Sequence, residues 1–284
     1  MVLSSLHLRA VECRPWPERL AGEFPFCVPV VRSLEHLEFS SPVTFFIGEN
    51  GTGKSTLLEA MAVVADLPVV GSEAVHTDPH LSRVREFAHY LKLIWNRRVR
   101  RGFFLRAEDF FGYARKMAHI REELRRDLEA VDREYTGRSE MARDLARMPY
   151  LGEIHAIDQR YGEGLDALSH GESFLRLFRE RFVPGGLYLL DEPEAPLSPV
   201  RQMALLAMIH QMVKENGQFI IATHAPILMS YPGATLLVLE GGEIHPVAYT
   251  DLEHVQLTRD FLTRPEVYLR RLGIEDEDGG GGHG

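Results

Sequence analysis

The chain has 284 residues, 45% of them apolar and 26% charged, with a formal net charge of −9. That balance is ordinary for a globular protein of one large or two small domains with ample material for a core. No apolar run approaches the ~20 residues that a membrane span needs, and no basic patch followed by an apolar stretch opens the chain. Membrane insertion and secretion are therefore not expected, and a cytoplasmic location is.

Cys13 and Cys27 lack zinc-ligand spacing and are expected to be free thiols. Charge is unevenly spread: from Arg83 to Arg147 there are 17 Lys and Arg against 11 Asp and Glu, so the remainder is strongly acidic. Such asymmetry marks either a contact surface for an anionic partner or a solvated helical insert.

Residues 1–47 read as β-rich, with a near alternation around Leu6, Leu8 and Ala10, prolines at 15, 17, 25 and 29, and a Ser-Ser-Pro turn at 40–42. Trp16, Phe24 and Phe26 are either core aromatics or candidates to stack on a purine base. The apolar run Val43–Ile47 then feeds Gly48-Glu49-Asn50-Gly51-Thr52-Gly53-Lys54-Ser55-Thr56, and the helical pattern from Leu57 follows. Strand, glycine loop, helix is the context of a phosphate-binding loop. The glycines permit positive φ and leave no side chain in the way. Successive N–H groups then form an anion nest at the positive end of a helix. In that reading the loop binds a nucleotide. Lys54 reaches the β- and γ-phosphates, and the Ser55 hydroxyl ligates Mg²⁺.

Beyond a connection at 68–81, the spacing of Val84, Phe87, Ala88, Leu91 and Ile94 predicts a helix from Arg83 to Trp95. A basic run, Arg97-Arg98-Val99-Arg100-Arg101, separates it from a short strand at 102–107. Residues 110–147 read as one or two charged amphipathic helices interrupted near Thr136-Gly137, without a sustained heptad.

Downstream, Leu168-Ser169-His170-Gly171-Glu172-Ser173 precedes the apolar strand 187–190, which ends in Asp191-Glu192-Pro193-Glu194. Ser198-Pro199 then suits a helix N-cap and first turn. The helix stops at Gly217, and the strand 218–222 ends at Thr223-His224. Asp191, at a strand's carboxyl end, suits Mg²⁺ binding. Glu192 suits orienting or deprotonating an attacking water, and His224 suits a hydrogen bond to the γ-phosphate or that water. Two further strands, 235–239 and 243–247, precede a helical C-terminal part. The acidic, glycine-rich tail at 275–284 is expected to be disordered. Strands alternating with helices predict an α/β fold built on a mostly parallel sheet.

In this order, the phosphate loop, the serine motif, Asp191-Glu192, the segment 195–198 and His224 resemble the ABC-type ATPase superfamily across residues 3–247. The resemblance implies a single domain over 1–274. Its core would be a P-loop NTPase at 1–75 and 150–274 with an N-terminal antiparallel β subdomain, and a helical lobe would be inserted at about 76–149. It also implies an ATP-dependent homodimer in which Ser169 and Gly171 cap the γ-phosphate held by the other subunit. The serine motif departs from LSGGQ, having His170 and Glu172. In this it is more similar to RecF, SMC and break-repair ATPases and to small stand-alone AAA family ATPases. No Gln occurs from Leu57 to Asp158, so the family's sensing glutamine has no match, and Arg106 or Glu108 stands in its place.

Three uses of the cycle stay open on the residues. One is a DNA-associated or defence machine with nucleic acid on a basic helical lobe. Another is the ATPase subunit of a membrane transporter gripping a separate protein. The last is a P-loop small-molecule kinase, against which the Asp-Glu pair counts because a kinase must exclude the hydrolytic water.

Overall fold

The computed structural model describes residues 6–70, 82–161 and 170–274. In chain order, strand β1 (Leu8–Cys13) is followed by a 3-10 turn, helix α1 (Pro29–Ser33) and strands β2 (His36–Glu38) and β3 (Val43–Ile47). Helix α2 (Lys54–Ala65), β4 (Val69–Val70), α3 (Ser82–Ala88), β5 (Leu91–Trp95) and β6 (Gly102–Arg106) come next. Three helices, α4 (Ala107–Glu134), α5 (Glu140–Tyr161) and α6 (His170–Arg181), separate β6 from β7 (Leu187–Asp191). The chain closes with α7 (Pro199–Lys214), β8 (Gln218–Ala222), α8 (Pro226–Met229), β9 (Thr235–Glu240), β10 (Glu243–Val247), α9 (Glu253–Thr263) and α10 (Pro265–Arg271).

Among the described residues, seven strands form one sheet in the order β10-β9-β3-β8-β7-β6-β4. All its pairings are parallel except the β9–β10 hairpin. The near-continuous apolar runs of the central strands follow from cover on both faces. Alternate residues divide between two cores. Phe46, Phe104, Leu189 and Ile220 pack with α2 and the N-terminal segment. Phe45, Phe103, Leu105, Tyr188, Leu190, Phe219 and Ile221 pack against α6 and α7. Every residue of β3, β7 and β8 is buried. Each large apolar side chain so placed contributes about 1.5–3 kcal/mol, which fixes the strand ends that carry the site.

A second sheet, β2-β1-β5, is antiparallel, as expected of the N-terminal segment. Gln218 ties it to the first: its Oε1 accepts from the His7 and Leu8 N–H groups (2.9 and 2.8 Å), and its Nε2 donates to the Leu8 carbonyl (2.8 Å).

Two expectations are corrected here. Leu91–Trp95 is not the end of a helix begun at Arg83. It is a strand paired with β1, with Cys13 opposite Leu91 and Leu8 opposite Trp95. Apolar residues at 91, 93 and 94 suit either period, and pairing with β1 decides between them. As a result β5 and β6, which fall inside the expected lobe of 76–149, belong to the sheets. The basic run between them is likewise outside the lobe. The inserted helices proper are α4, α5 and α6. Helix α4 has 28 residues, about 42 Å at ~1.5 Å per residue, and turns back at Thr136-Gly137 into α5, with Arg147 paired to Asp132 at 3.5 Å. The tail at 275–284 lies outside the described residues.

Candidate active site

The glycine loop bridges the end of β3 and the start of α2. Gly48, Gly51 and Gly53 all have positive φ (153°, 86° and 103°). At two of them space is also short: a Cβ on Gly48 would lie 2.4 Å from the Leu239 carbonyl oxygen, and one on Gly53 2.7 Å from Val28 and Val30. Only glycine meets both demands. Thr52 closes the turn, its hydroxyl donating to the Glu49 carbonyl at 2.9 Å. Thr56 is buried on the first turn of α2.

Lys54 is buried, and its ammonium donates to the carbonyls of Gly48 (2.6 Å) and Glu49 (2.9 Å). Burial lowers its pKa, while the carboxylates of Glu192, Asp191 and Glu194 oppose that shift. Two of these acids, Asp191 and Glu192, line the same cavity as Lys54. Ser55 donates to Asp191 Oδ1 at 3.1 Å. These two hard oxygens sit side by side where α2 meets the end of β7, a donor pair that fits Mg²⁺. Among the described residues, no group of three or more His, Cys, Asp or Glu side chains forms a metal site of its own. A Mg²⁺ here would therefore complete its shell with phosphate oxygens and water.

Glu192 follows β7 in the left-handed conformation (φ 49°), a costly state for a non-glycine residue that is common at functional sites. Its amide donates to the Ala222 carbonyl at 2.9 Å, which anchors the turn to β8. Its Oε1 lies 3.8 Å from Nε2 of His224. Burial and the charge of Lys54 lower the His224 pKa, and Glu192 pulls the other way.

Sequence reasoning missed Glu194. Its Oε1 accepts the His224 backbone N–H at 2.8 Å, so it holds the loop that carries the histidine. Burial raises its own pKa against hydrogen bonds from Thr223 and the His224 amide. The only sequence signal was the second acid of Asp-Glu-Pro-Glu.

A cavity of about 430 Å³ is lined by the glycine loop, Arg106, Asp191, Glu192, Phe24 and Val28; Glu194 and His224 line a different cavity, with Tyr249 and Val255. Arg106, at the end of β6, pairs with Glu59 of α2 at 3.2 Å, and both side chains are largely buried. The Glu108 side chain lies outside those described, and so does Ser169. Gly171, on the first turn of α6, does not line this cavity. It packs inside the chain, where a Cβ would meet the Pro196 carbonyl oxygen at 2.7 Å and Arg201 Cδ at 2.8 Å. Ser198 stands at the N-cap of α7 with Pro199 at the first helical position, but its hydroxyl makes no cap hydrogen bond.

The profile of the AAA domain family matches residues 26–155. An "Uncharacterized ABC transporter ATP-binding protein" of Haemophilus influenzae is 25% identical over 255 residues, 84% of this chain and 87% of that protein. The "Cobalt import ATP-binding protein CbiO" of Salmonella paratyphi A is 28% identical over 251 residues, 85% of this chain and 86% of its own.

The chain is similar to ABC-type P-loop ATPases.

ATP binding is part of both relatives' names, and the glycine loop of this chain has the local form that such binding requires. Among solved structures, it is similar to an Smc head domain from Pyrococcus furiosus (12% identity, TM-score 0.42, covering 92% of this chain and 99% of that one). A nucleotide-free ATP-binding cassette from an ABC transporter matches at 16% identity and TM-score 0.42, covering 93% and 98%. No helix among the described residues is long and apolar enough to cross a membrane.

Proposed function

We propose that the chain is an ABC-type ATPase, working as a dimer that closes on two ATP molecules, each bound by the phosphate loop of one subunit and capped by Ser169 and Gly171 of the other. The observation that supports this is the incomplete lining of the cavity. It contains the phosphate loop, Asp191 and Glu192, yet Gly171 is absent from its walls and packs against Pro196 and Arg201 instead.

Within each site, the loop amides and Lys54 bind the phosphates. Phe24 stacks on the base. Glu192 orients the attacking water and takes its proton, and His224, placed by Glu194, hydrogen-bonds the γ-phosphate. Arg106 or Glu108 takes the part of the family's sensing glutamine, and Arg106 links the cavity to α2 through Glu59. Ser55 and Asp191 would hold Mg²⁺, which when bound neutralises charge on the phosphate oxygens. Catalysis is then positioning and charge stabilisation of in-line attack. The test of assembly is light scattering of Glu192→Gln with and without ATP and Mg²⁺. An ATP-dependent doubling of mass is expected, and a monomer under both conditions overturns the dimer.

Two readings cover what the cycle drives. The departure of the serine motif from LSGGQ favours a stand-alone, DNA-associated or defence-type machine. The names of the two relatives favour a transporter subunit. So does an exposed apolar stripe on α5, formed by Met141, Leu145, Met148 and Leu151, which suits a protein partner. Purification from native cells separates them. A stoichiometric integral membrane protein supports the transporter reading, and its replacement by nucleic acid supports the other. Against a small-molecule kinase counts Glu192 beside Asp191 on the cavity wall, since a kinase must exclude the water that such a pair activates.

A further inference from the structure

The basic run of the sequence has a place of its own. Arg97, Arg98, Arg100 and Arg101 line a cavity of about 760 Å³ together with His7 and the segments at 184–185 and 215–216. Arg101 immediately precedes β6, Gly185 lies just before β7, and Asn216 lies just before β8. These strands are parallel and end at Arg106, Asp191 and Ala222. The cavity therefore opens at their amino ends and the ATP cavity at their carboxyl ends, about 16 Å apart for five residues at ~3.3 Å each.

The loop carrying the arginines is anchored on both sides. The Asn96 and Arg97 amides both donate to the His7 carbonyl (2.8 and 3.3 Å), and the Asn96 side chain donates to the Leu6 carbonyl at 3.3 Å. At the far end, the Leu187 amide donates to the Arg101 carbonyl at 3.0 Å. The His7 ring is fixed by a 2.7 Å hydrogen bond to the Asn216 carbonyl. The one carboxylate in the lining, Glu215, accepts from Gln211 at 2.6 Å. Among the described residues, no ion pair neutralises any of the four arginines. Four guanidinium groups within five residues repel one another, and a polyanion relieves that repulsion. Their planar forks match phosphate oxygens two at a time.

We propose that this cavity is a second anion site, separate from the ATP cavity, which binds a run of adjacent phosphates. The chemistry is the same whether the phosphates belong to a nucleic-acid backbone or to a free polyphosphate, and the test separates the two. The site does not depend on how the ATP cycle is used.

Binding of a fluorescein-labelled single-stranded 20-mer and of inorganic triphosphate is measured on the full chain. A saturating non-hydrolysable ATP analogue with Mg²⁺ occupies the phosphate loop, and salt is varied. Four neutralised phosphates give a log–log salt slope of about −3 for a single strand. Replacing all four arginines with Ala should weaken binding at low salt at least about tenfold and bring the slope below about −1 in magnitude. The side chains are exposed, so the variant should melt with the wild type. If it does not fold, Arg98→Ala/Arg100→Ala should remove about half the slope.

Loss of both ligands in the variant supports the site. Loss of the oligonucleotide alone assigns it to nucleic acid, and loss of triphosphate alone assigns it to a free polyphosphate. If neither ligand binds the wild type, or the variants bind both equally well, the proposal is overturned.

Discussion

Of the three aromatic residues ahead of the phosphate loop, burial singles out Phe24. Phe26 is 1% exposed in the core cluster, and Trp16 packs on it at 5.5 Å between ring centroids and on Phe87 at 6.2 Å. Phe24 is 50% exposed and lines the nucleotide cavity. Phe24→Ala should therefore remove base stacking worth about 1–3 kcal/mol, a 5- to 150-fold rise in the Kd for ATP at ~1.4 kcal/mol per factor of ten. Global stability should change by no more than ~0.5 kcal/mol, as at ordinary exposed positions. Phe26→Ala should do the reverse, destabilising the fold by about 3–5 kcal/mol. The assay is calorimetric titration with ATP and, separately, with inorganic triphosphate, beside urea unfolding of each variant. Triphosphate has no base, so its affinity should be the same in wild type and Phe24→Ala. ATP affinity within twofold of wild type in that variant would refute the stacking role.

Glu192→Gln should hydrolyse ATP at least ~10²-fold more slowly, the usual worth of a positioned base; single-turnover rates at the wild-type level would remove Glu192 from that role. Gly171→Ala should destabilise the chain by about 1–3 kcal/mol, because the backbone carbonyl of Pro196 cannot yield as a flexible side chain can; unchanged urea unfolding would contradict the close packing. Burial is the first cause lowering the pKa of His7, His224 and His254. The unfolded chain then binds more protons than the folded one between those lowered values and ~6.5, so stability is complete above that range and is lost as pH falls through it. Glu194, with its raised pKa, acts in the opposite sense above its unfolded value. The clean readout is therefore the difference between wild type and His254→Asn, whose melting temperature should fall less on acidification; equal pH slopes would refute the assignment.

The glycine loop was legible because one short stretch carries its entire physical reason, from strand to positive-φ glycines to helix. Asp191 and Glu192 were legible for a similar reason: an apolar strand that ends in acids places them at a sheet's carboxyl edge. What escaped the sequence depends on partners distant along the chain. Leu91–Trp95 satisfied a helical period, and only pairing with β1, some 80 residues earlier, makes it a strand. The arginines of 97–101 read as part of a helical lobe because nothing local shows that His7 and Asn216 close a cavity around them. Glu194 is second of two glutamates in a turn, and its hold on the His224 amide appears only when β7 and β8 lie side by side. Gln218 has the same character, since a polar residue opening a buried strand gives no sign that it bonds the backbone of β1.

The shared active site is tested most directly by mixing two inactive proteins, Lys54→Ala and Ser169→Arg, under conditions where subunits exchange. The first loses the counter-charge of the phosphate loop, and the second blocks closure over the neighbour's γ-phosphate. A mixed dimer has one doubly damaged site and one in which an intact loop meets an intact serine motif. Random pairing makes about half the dimers mixed, so up to about a quarter of wild-type ATP turnover should return if one intact site fires alone. A covalently joined pair, with bound nucleotide counted per dimer, controls for a requirement that both sites fire, since it should trap one ATP even if turnover needs two. Recovery of turnover, or one trapped ATP per joined pair, is the predicted result. Turnover equal to the sum of the two separate proteins with no trapped ATP, or full-rate hydrolysis by a verified monomer, would contradict it.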